Sequence, residues 1–295
     1  MSYLHIAILA LIQGAAELLP VSSSAHVILA ERLMGLDPSA PRLTFLLVML
    51  HTGTMFAVLV YFRRRWQARA WPAAVARGKE SAFGSRFHFL KMIVLATAVT
   101  GVLGLGLKLL IERVVLVRLL GHDKGEVEHL FKNLYLMAGS LFAVGCIIVA
   151  AGMWEPRGGG RPLTPGSTLW IGMVQGLCLP FRGFSRSGAT ISMGLFRGVH
   201  RQLAEEFSFA LAVVLTPPVI ALELYRLLRS EQWQGRSELL ELLLPGAMGM
   251  AFSFVAGLVA LKVLSAVLEG GKWKYFGYYC LAAAAVVLWA ARSGL

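Results

Sequence analysis

The chain has 295 residues, of which 57% are hydrophobic and 15% charged, with a mean hydropathy of +0.68. So apolar a composition excludes an ordinary soluble domain and predicts a polytopic membrane protein. The formal charge of +12 could suit nucleic acid, but its concentration in one loop between apolar runs excludes that partner.

The N-terminal run MSYLHIAILALIQG has no basic flank and no cleavage site after it, so it is expected to stay in the mature fold. It opens an apolar region, residues 3 to 35, that is broken in the middle by ELLPVSSS. The halves are too short to cross a bilayer, which takes roughly 20 apolar residues. A helix-loop-helix pair that turns back inside the membrane is predicted, with its irregular backbone lining a cavity. Gln13 and Glu17 are four apart and share a helix face. An acid at membrane depth costs roughly 2.5–3.5 kcal/mol on insertion scales, so Glu17 needs a partner or a task. Ser22, Ser23 and Ser24 follow Pro20, where a second half-helix begins. Hydroxyls there can cap it, and its free N–H groups form an anion site. His26 lies three residues beyond Ser23, on the same face of that helix.

Spans are predicted next at 42 to 62, 89 to 110 and 133 to 153. The loop from Arg63 to Lys91 carries eight basic residues against one acid, Glu80, and is assigned to the cytoplasm. The loop at 111 to 133 is neutral and falls outside, whereas 154 to 168 carries +1 and falls inside. His51, inside the first span, reads first as a packing histidine and second as a site residue. A second broken region, 165 to 198, is interrupted by LPFRGFSRSG and predicts a second re-entrant pair, entering from the cytoplasm. Its GFSRSGAT offers Ser185 and Ser187 as donors, Gly188 for close backbone approach, and Arg186, whose planar fork suits phosphate oxygens. Spans at 207 to 227, 243 to 266 and 275 to 292 complete the chain, separated by a neutral loop at 226 to 242 and a +1 loop at 267 to 274. Cys146, Cys178 and Cys280 show no metal or disulfide spacing and read as packing residues.

The two halves echo each other. Gln13-Gly14 recurs as Gln175-Gly176, Ser22 to Ser24 stands opposite Ser185 to Ser187, and Phe45, Thr52, Tyr61 and Arg65 recur as Phe209, Thr216, Tyr225 and Arg229 at an offset of 164. The fold class is therefore an all-α integral membrane protein: six transmembrane helices plus two re-entrant pairs in an inverted-topology repeat. Residues 1–155 form the first repeat and 156–295 the second. Such repeats place their site near the midplane, where the broken helices meet. If the two half-helix starts meet there, they cage a phosphorylated lipid head group.

QGAAELLPVSSSAH, GFSRSGATIS and EEFSFALAV, in order and spanning nearly the whole chain, resemble the signature segments of the undecaprenyl-pyrophosphate phosphatase family, the bacitracin-resistance proteins. The resemblance implies hydrolysis of undecaprenyl pyrophosphate to the monophosphate and inorganic phosphate in the bacterial inner membrane, with the site open to the periplasm. It implies Glu17, Ser23, His26 and Arg186 as catalytic residues, with Gln13, Ser22, Ser24, Ser185, Ser187, Gly188 and Thr190 around the substrate. It further implies a divalent cation, Mg²⁺ or Ca²⁺, with Glu17 as its charged ligand. The partners expected are the polyprenyl pyrophosphate, membrane lipid and a second copy of the chain as a homodimer. The sequence departs from the family pattern at Gln13, where glutamate is commoner, at Ser24, at Ala25 before the histidine, and at Arg182 in place of a turn dipeptide. The loss of a carboxylate at position 13 bears on the metal, because hard cations prefer charged oxygens.

Two chemistries stay open: attack by Ser23 or water with His26 as base or proton shuttle, and attack by His26 itself. An inverted repeat also suits a polyprenyl-phosphate transporter or flippase. The acid-phosphatase-like lipid phosphatases share only a Ser-x-His element; their spaced histidine and aspartate are missing from SRSGATISMGLF.

Overall fold

A computed structural model of the chain describes residues 2–37, 40–68, 82–111, 133–154, 160–229 and 236–293. Among them lie ten helices and no strand: α1 (Tyr3–Leu18), α2 (Ser23–Leu33), α3 (Pro41–Ala68), α4 (Ala82–Leu110), α5 (Leu134–Trp154), α6 (Pro165–Cys178), α7 (Arg186–Phe196), α8 (Arg201–Arg229), α9 (Arg236–Glu269) and α10 (Lys274–Arg292). A single isolated bridge pairs Arg161 with Val199.

Six helices are long and apolar enough to cross a bilayer, over Arg42–Gln67, Phe87–Leu110, Leu134–Trp154, Arg201–Arg229, Glu241–Glu269 and Lys274–Arg292. All six coincide with predicted spans, yet several run further. α3 carries Arg63, Arg64 and Arg65 into its last turns, and α8 starts at Arg201 rather than at 207. Hydropathy detects only the part of a helix that lipid would surround, whereas the backbone keeps its hydrogen bonds well into the polar boundary. Much of the basic loop expected at 63 to 91, and of the loop at 111 to 133, lies outside the described residues.

The other four helices form two broken pairs. At 1.5 Å per residue, α1 with 16 residues is about 24 Å long and α2 and α7 with 11 residues are each about 17 Å. The breaks fall at 19–22 and 179–185, where Pro20, Pro180 and Gly183 interrupt the helical pattern. Gly183 is required there: its φ is +93°, and a Cβ would stand 2.7 Å from the carbonyl oxygen of Met137.

Packing explains the repeated Gln-Gly dipeptide. α1 lies on α9, and at Gly14 a Cβ would come within 2.6 Å of the Ser253 carbonyl oxygen. α6 lies on α4 in the same manner, and a Cβ at Gly176 would stand 2.9 Å from the Leu103 Cβ. Between apolar helices in lipid, attraction comes from close contact, so small residues mark the crossings. The packings exchange between halves: α1 with α2 and α6 with α7, α3 with α9 and α8 with α4. α3 meets α8 and α5 meets α10. The largest core cluster joins Phe62, Phe207, Phe209 and Trp273 to Leu141, Ile148 and Leu264.

Candidate active site

Both helix breaks open on one cavity of about 220 Å³. From the first come Ala16, Glu17, Ser22, Ser23 and Ser24; from the second come Cys178, Leu179, Phe181, Arg182, Phe184, Ser185, Arg186 and Ser187. The starts of α2 and α7 therefore both lie in its wall, where helix N-termini favour negative charge.

Glu17 is the centre of the polar network. The Arg186 guanidinium donates to its Oε1 at 3.3 Å. Its Oε2 accepts from the Ser23 hydroxyl at 2.5 Å and from the Gln13 amide at 3.3 Å. The His51 Nε2 stands 4.0 Å from the same oxygen. The side chains of Glu17 and Arg186 are only partly buried, 17% and 22% exposed, so the pair is satisfied internally yet reachable from the cavity. Arg186 thus supplies the partner that an acid on an apolar helix requires.

The serines divide the work differently from the expectation of a helix cap. Ser22 occupies the N-cap position of α2 without making a cap hydrogen bond, because its backbone turns to φ +70° and carries the side chain off the helix axis. A non-glycine residue held there costs roughly 1–3 kcal/mol, and such residues concentrate at functional sites. The Ser22 and Ser24 hydroxyls lie 3.2 Å apart, and Ser24 Oγ accepts the Gly183 N–H at 3.1 Å, tying the two breaks together. In the second half the cap does form, with Ser185 Oγ accepting the Gly188 N–H at 3.2 Å. Ser187 Oγ lies 3.4 Å from Ser185 Oγ.

His26 is one turn from the cavity lining. Its Nδ1 lies 2.8 Å from the Ser22 carbonyl oxygen and its Nε2 2.8 Å from the Tyr279 hydroxyl. Gln13 is buried and reaches the cavity only through Glu17. Gly188 and Thr190 lie behind the wall. A Cβ at Gly188 would stand 2.8 Å from the Ile148 Cδ1. Thr190 donates to the Arg186 carbonyl at 2.8 Å and meets the Ser208 hydroxyl at 2.6 Å, so it braces the first turn of α7.

His51, read first as a packing residue, sits beside Glu17 while its Nδ1 bonds the Leu47 carbonyl at 2.8 Å. An imidazole in an apolar span was its available signal. Tyr279 carried no sequence signal, because only the tertiary fold brings it to the first break, whereas the apolar lining residues Leu179, Phe181 and Phe184 belong to the LPFRGFSRSG interruption itself. Of the EEFSFALAV segment, Ser208 backs the site through Thr190, while Glu205 points elsewhere, accepting from Ser265 at 2.5 Å and pairing with Arg65 at 3.4 Å.

Among the described residues no three His, Cys, Asp or Glu side chains converge as a metal cluster. Among the described residues Glu17 is the only carboxylate in the cavity wall. This donor set builds no closed protein cage, and it fits a hard cation that brings phosphate oxygens as its other ligands.

Residues 6–286 match the family described as Bacitracin resistance protein BacA. The chain is 56% identical over 294 residues to undecaprenyl-diphosphatase 2 of Acinetobacter baylyi, covering 98% of each chain. It is 34% identical over 293 residues to an undecaprenyl-diphosphatase of Desulfosudis oleivorans, covering 96% of each, and 31% identical over 288 residues to one of Korarchaeum cryptofilum, covering 95% and 96%. With the match running across both helix breaks and five of the long helices into the sixth, the chain belongs to the bacitracin resistance protein BacA family.

Proposed function

We propose that this protein hydrolyses undecaprenyl diphosphate to undecaprenyl phosphate and inorganic phosphate, at the cavity between the two helix breaks. The observation that carries the reading is the single carboxylate shared by a serine hydroxyl and an arginine, in a wall built from two helix starts. The identity to undecaprenyl-diphosphatases over nearly the full chain supports the substrate.

Ser23 Oγ attacks the terminal phosphorus while its proton passes to Glu17 Oε2, which already accepts that hydrogen. The bond from phosphorus to the bridging oxygen breaks, and undecaprenyl phosphate leaves. Glu17 gives that proton to the departing undecaprenyl phosphate, and water then attacks the phosphoserine, losing a proton to the freed carboxylate; the bond from phosphorus to Ser23 Oγ breaks as Glu17 passes this proton to the serine oxygen and inorganic phosphate departs. Arg186 holds the equatorial oxygens, where the charge of phosphoryl transfer gathers. Ser22, Ser24, Ser185 and Ser187 offer further hydroxyl donors. His26 clamps the Ser22 carbonyl, fixing the turn that aims Ser23. A divalent cation arriving with the diphosphate would be held by Glu17, and would neutralise phosphate charge.

The two broken pairs act as re-entrant hairpins and the halves 1–155 and 156–295 as inverted repeats, a reading supported by the exchange of packings between them. The basic run after Phe62 supports a cytoplasmic position for the end of α3, which leaves the cavity mouth on the periplasmic side of the inner membrane. The test is phosphate release: purified protein in detergent, with no second compartment, liberates phosphate from undecaprenyl diphosphate. A carrier alone would release none, and that result would overturn the proposal.

A further inference from the structure

We infer that Tyr279 is a positioning residue for His26, a role that rests on the reading of His26 as part of the hydrolytic site. The bond joins distant parts of the chain, from α2 to α10, and the partners are fixed by what each atom can do. A carbonyl oxygen only accepts, so the 2.8 Å contact with Ser22 O places a proton on His26 Nδ1. In the neutral ring, Nε2 then has a lone pair and accepts the Tyr279 O–H at 2.8 Å. The rings stack at 5.7 Å between centroids with 15° between planes, which holds the imidazole in that orientation.

The consequence reaches the nucleophile. Ser22 occupies its unusual φ of +70° one residue before Ser23, and its carbonyl is held by the ring that Tyr279 orients. Without the phenol hydroxyl, the imidazole can rotate or change tautomer, the Ser22 carbonyl loses its donor, and the turn that directs Ser23 at Glu17 loosens. Because a hydroxyl both donates and accepts, Tyr279 also keeps its bond if Nε2 takes a proton. The neighbouring Cys280 thiol donates to the Pro20 carbonyl at 3.3 Å, so α10 braces the same break at two adjacent positions.

The experiment compares wild type, Tyr279→Phe, His26→Ala and the double variant as full-length protein in detergent, with phosphate release from undecaprenyl diphosphate as the rate. Phenylalanine keeps the stacked ring and removes only the hydroxyl. The expected result is a five- to tenfold lower kcat, as for the loss of one hydrogen bond, with KM within about twofold. In the His26→Ala background the same change costs less than about twofold, because Tyr279 acts through the imidazole. A kcat for Tyr279→Phe equal to wild type, or the full proportional loss repeated in the His26→Ala background, overturns the inference. A second arm needs no turnover: ¹⁵N spectra of histidine-labelled wild type and Tyr279→Phe, with His26 assigned from its absence in His26→Ala. A hydrogen-bonded Nε2 that moves toward an unbonded imine nitrogen in Tyr279→Phe supports the inference; an unbonded Nε2 in wild type overturns it. If wild type releases no phosphate, the hydrolase reading fails, and the spectrum still decides the Tyr279 bond separately.

Discussion

Glu17 gathers four side chains from four helices, its own α1 included, and each replacement around it separates a distinct contribution. Arg186→Ala leaves the carboxylate without its ion pair and the phosphate without its fork, and is expected to lower kcat/KM by at least about 100-fold. Arg186→Lys restores a charge without bidentate geometry and is expected to recover only part of that loss. Phosphate release, with thermal midpoints as a control for folding, measures both. Gln13→Glu sets a second carboxylate four residues from the first. It is expected to keep or raise activity while making it more dependent on added Mg²⁺ or Ca²⁺, read by titrating the cation back after chelation. The site's acid, serine, histidine and arginine were legible because charged and hydroxylated side chains stand out against an apolar background. The detail was less so. That Ser23 gives its hydrogen to Glu17, while both His26 nitrogens are engaged by Ser22 and Tyr279, depends on the unusual backbone of Ser22 and on a helix more than 250 residues away.

The elements divide by length and by the chemistry of their breaks. Six spans were legible from hydropathy because a bilayer sets a minimum length, and the two short pairs were legible because Pro20, Pro180 and Gly183 interrupt otherwise apolar runs. Helix ends were not, since α3 and α8 continue into charged sequence that hydropathy alone assigns to loops. Residues Gly188 and Thr190 show a related limit: their place in the motif is real, yet it serves the packing of α7 rather than the cavity surface. Gly183→Ala is expected to destabilise the second break, because it combines a positive φ with a contact 2.7 Å from the Met137 carbonyl. The backbone term alone is roughly 1–2 kcal/mol. The measurement is the thermal midpoint in detergent. Gly277→Leu is expected to part α10 from α5, where a Cβ would stand 2.7 Å from the Gly145 carbonyl, with loss of folded protein by size-exclusion profile.

At the scale of the molecule, the two halves are alike in packing and unlike in chemistry. Gln13 reaches Glu17, whereas its counterpart Gln175 donates to Thr100 at 3.1 Å inside a helix contact. The N-terminal half thus supplies the carboxylate and serine, and the C-terminal half supplies the arginine and a capped helix start. The topology has its own check: single cysteines placed at 63–91 in a cysteine-free background should react with an impermeant reagent only after the inner membrane is opened, and those at 111–133 before it. The most direct test of the central claim is an experimental structure with a methylene-bridged, non-hydrolysable analogue of undecaprenyl diphosphate. The account expects the terminal phosphonate between Ser23 Oγ and the Arg186 guanidinium, within reach of Glu17. A phosphonate bound away from these groups, or at the Arg65 and Glu205 pair, would contradict it.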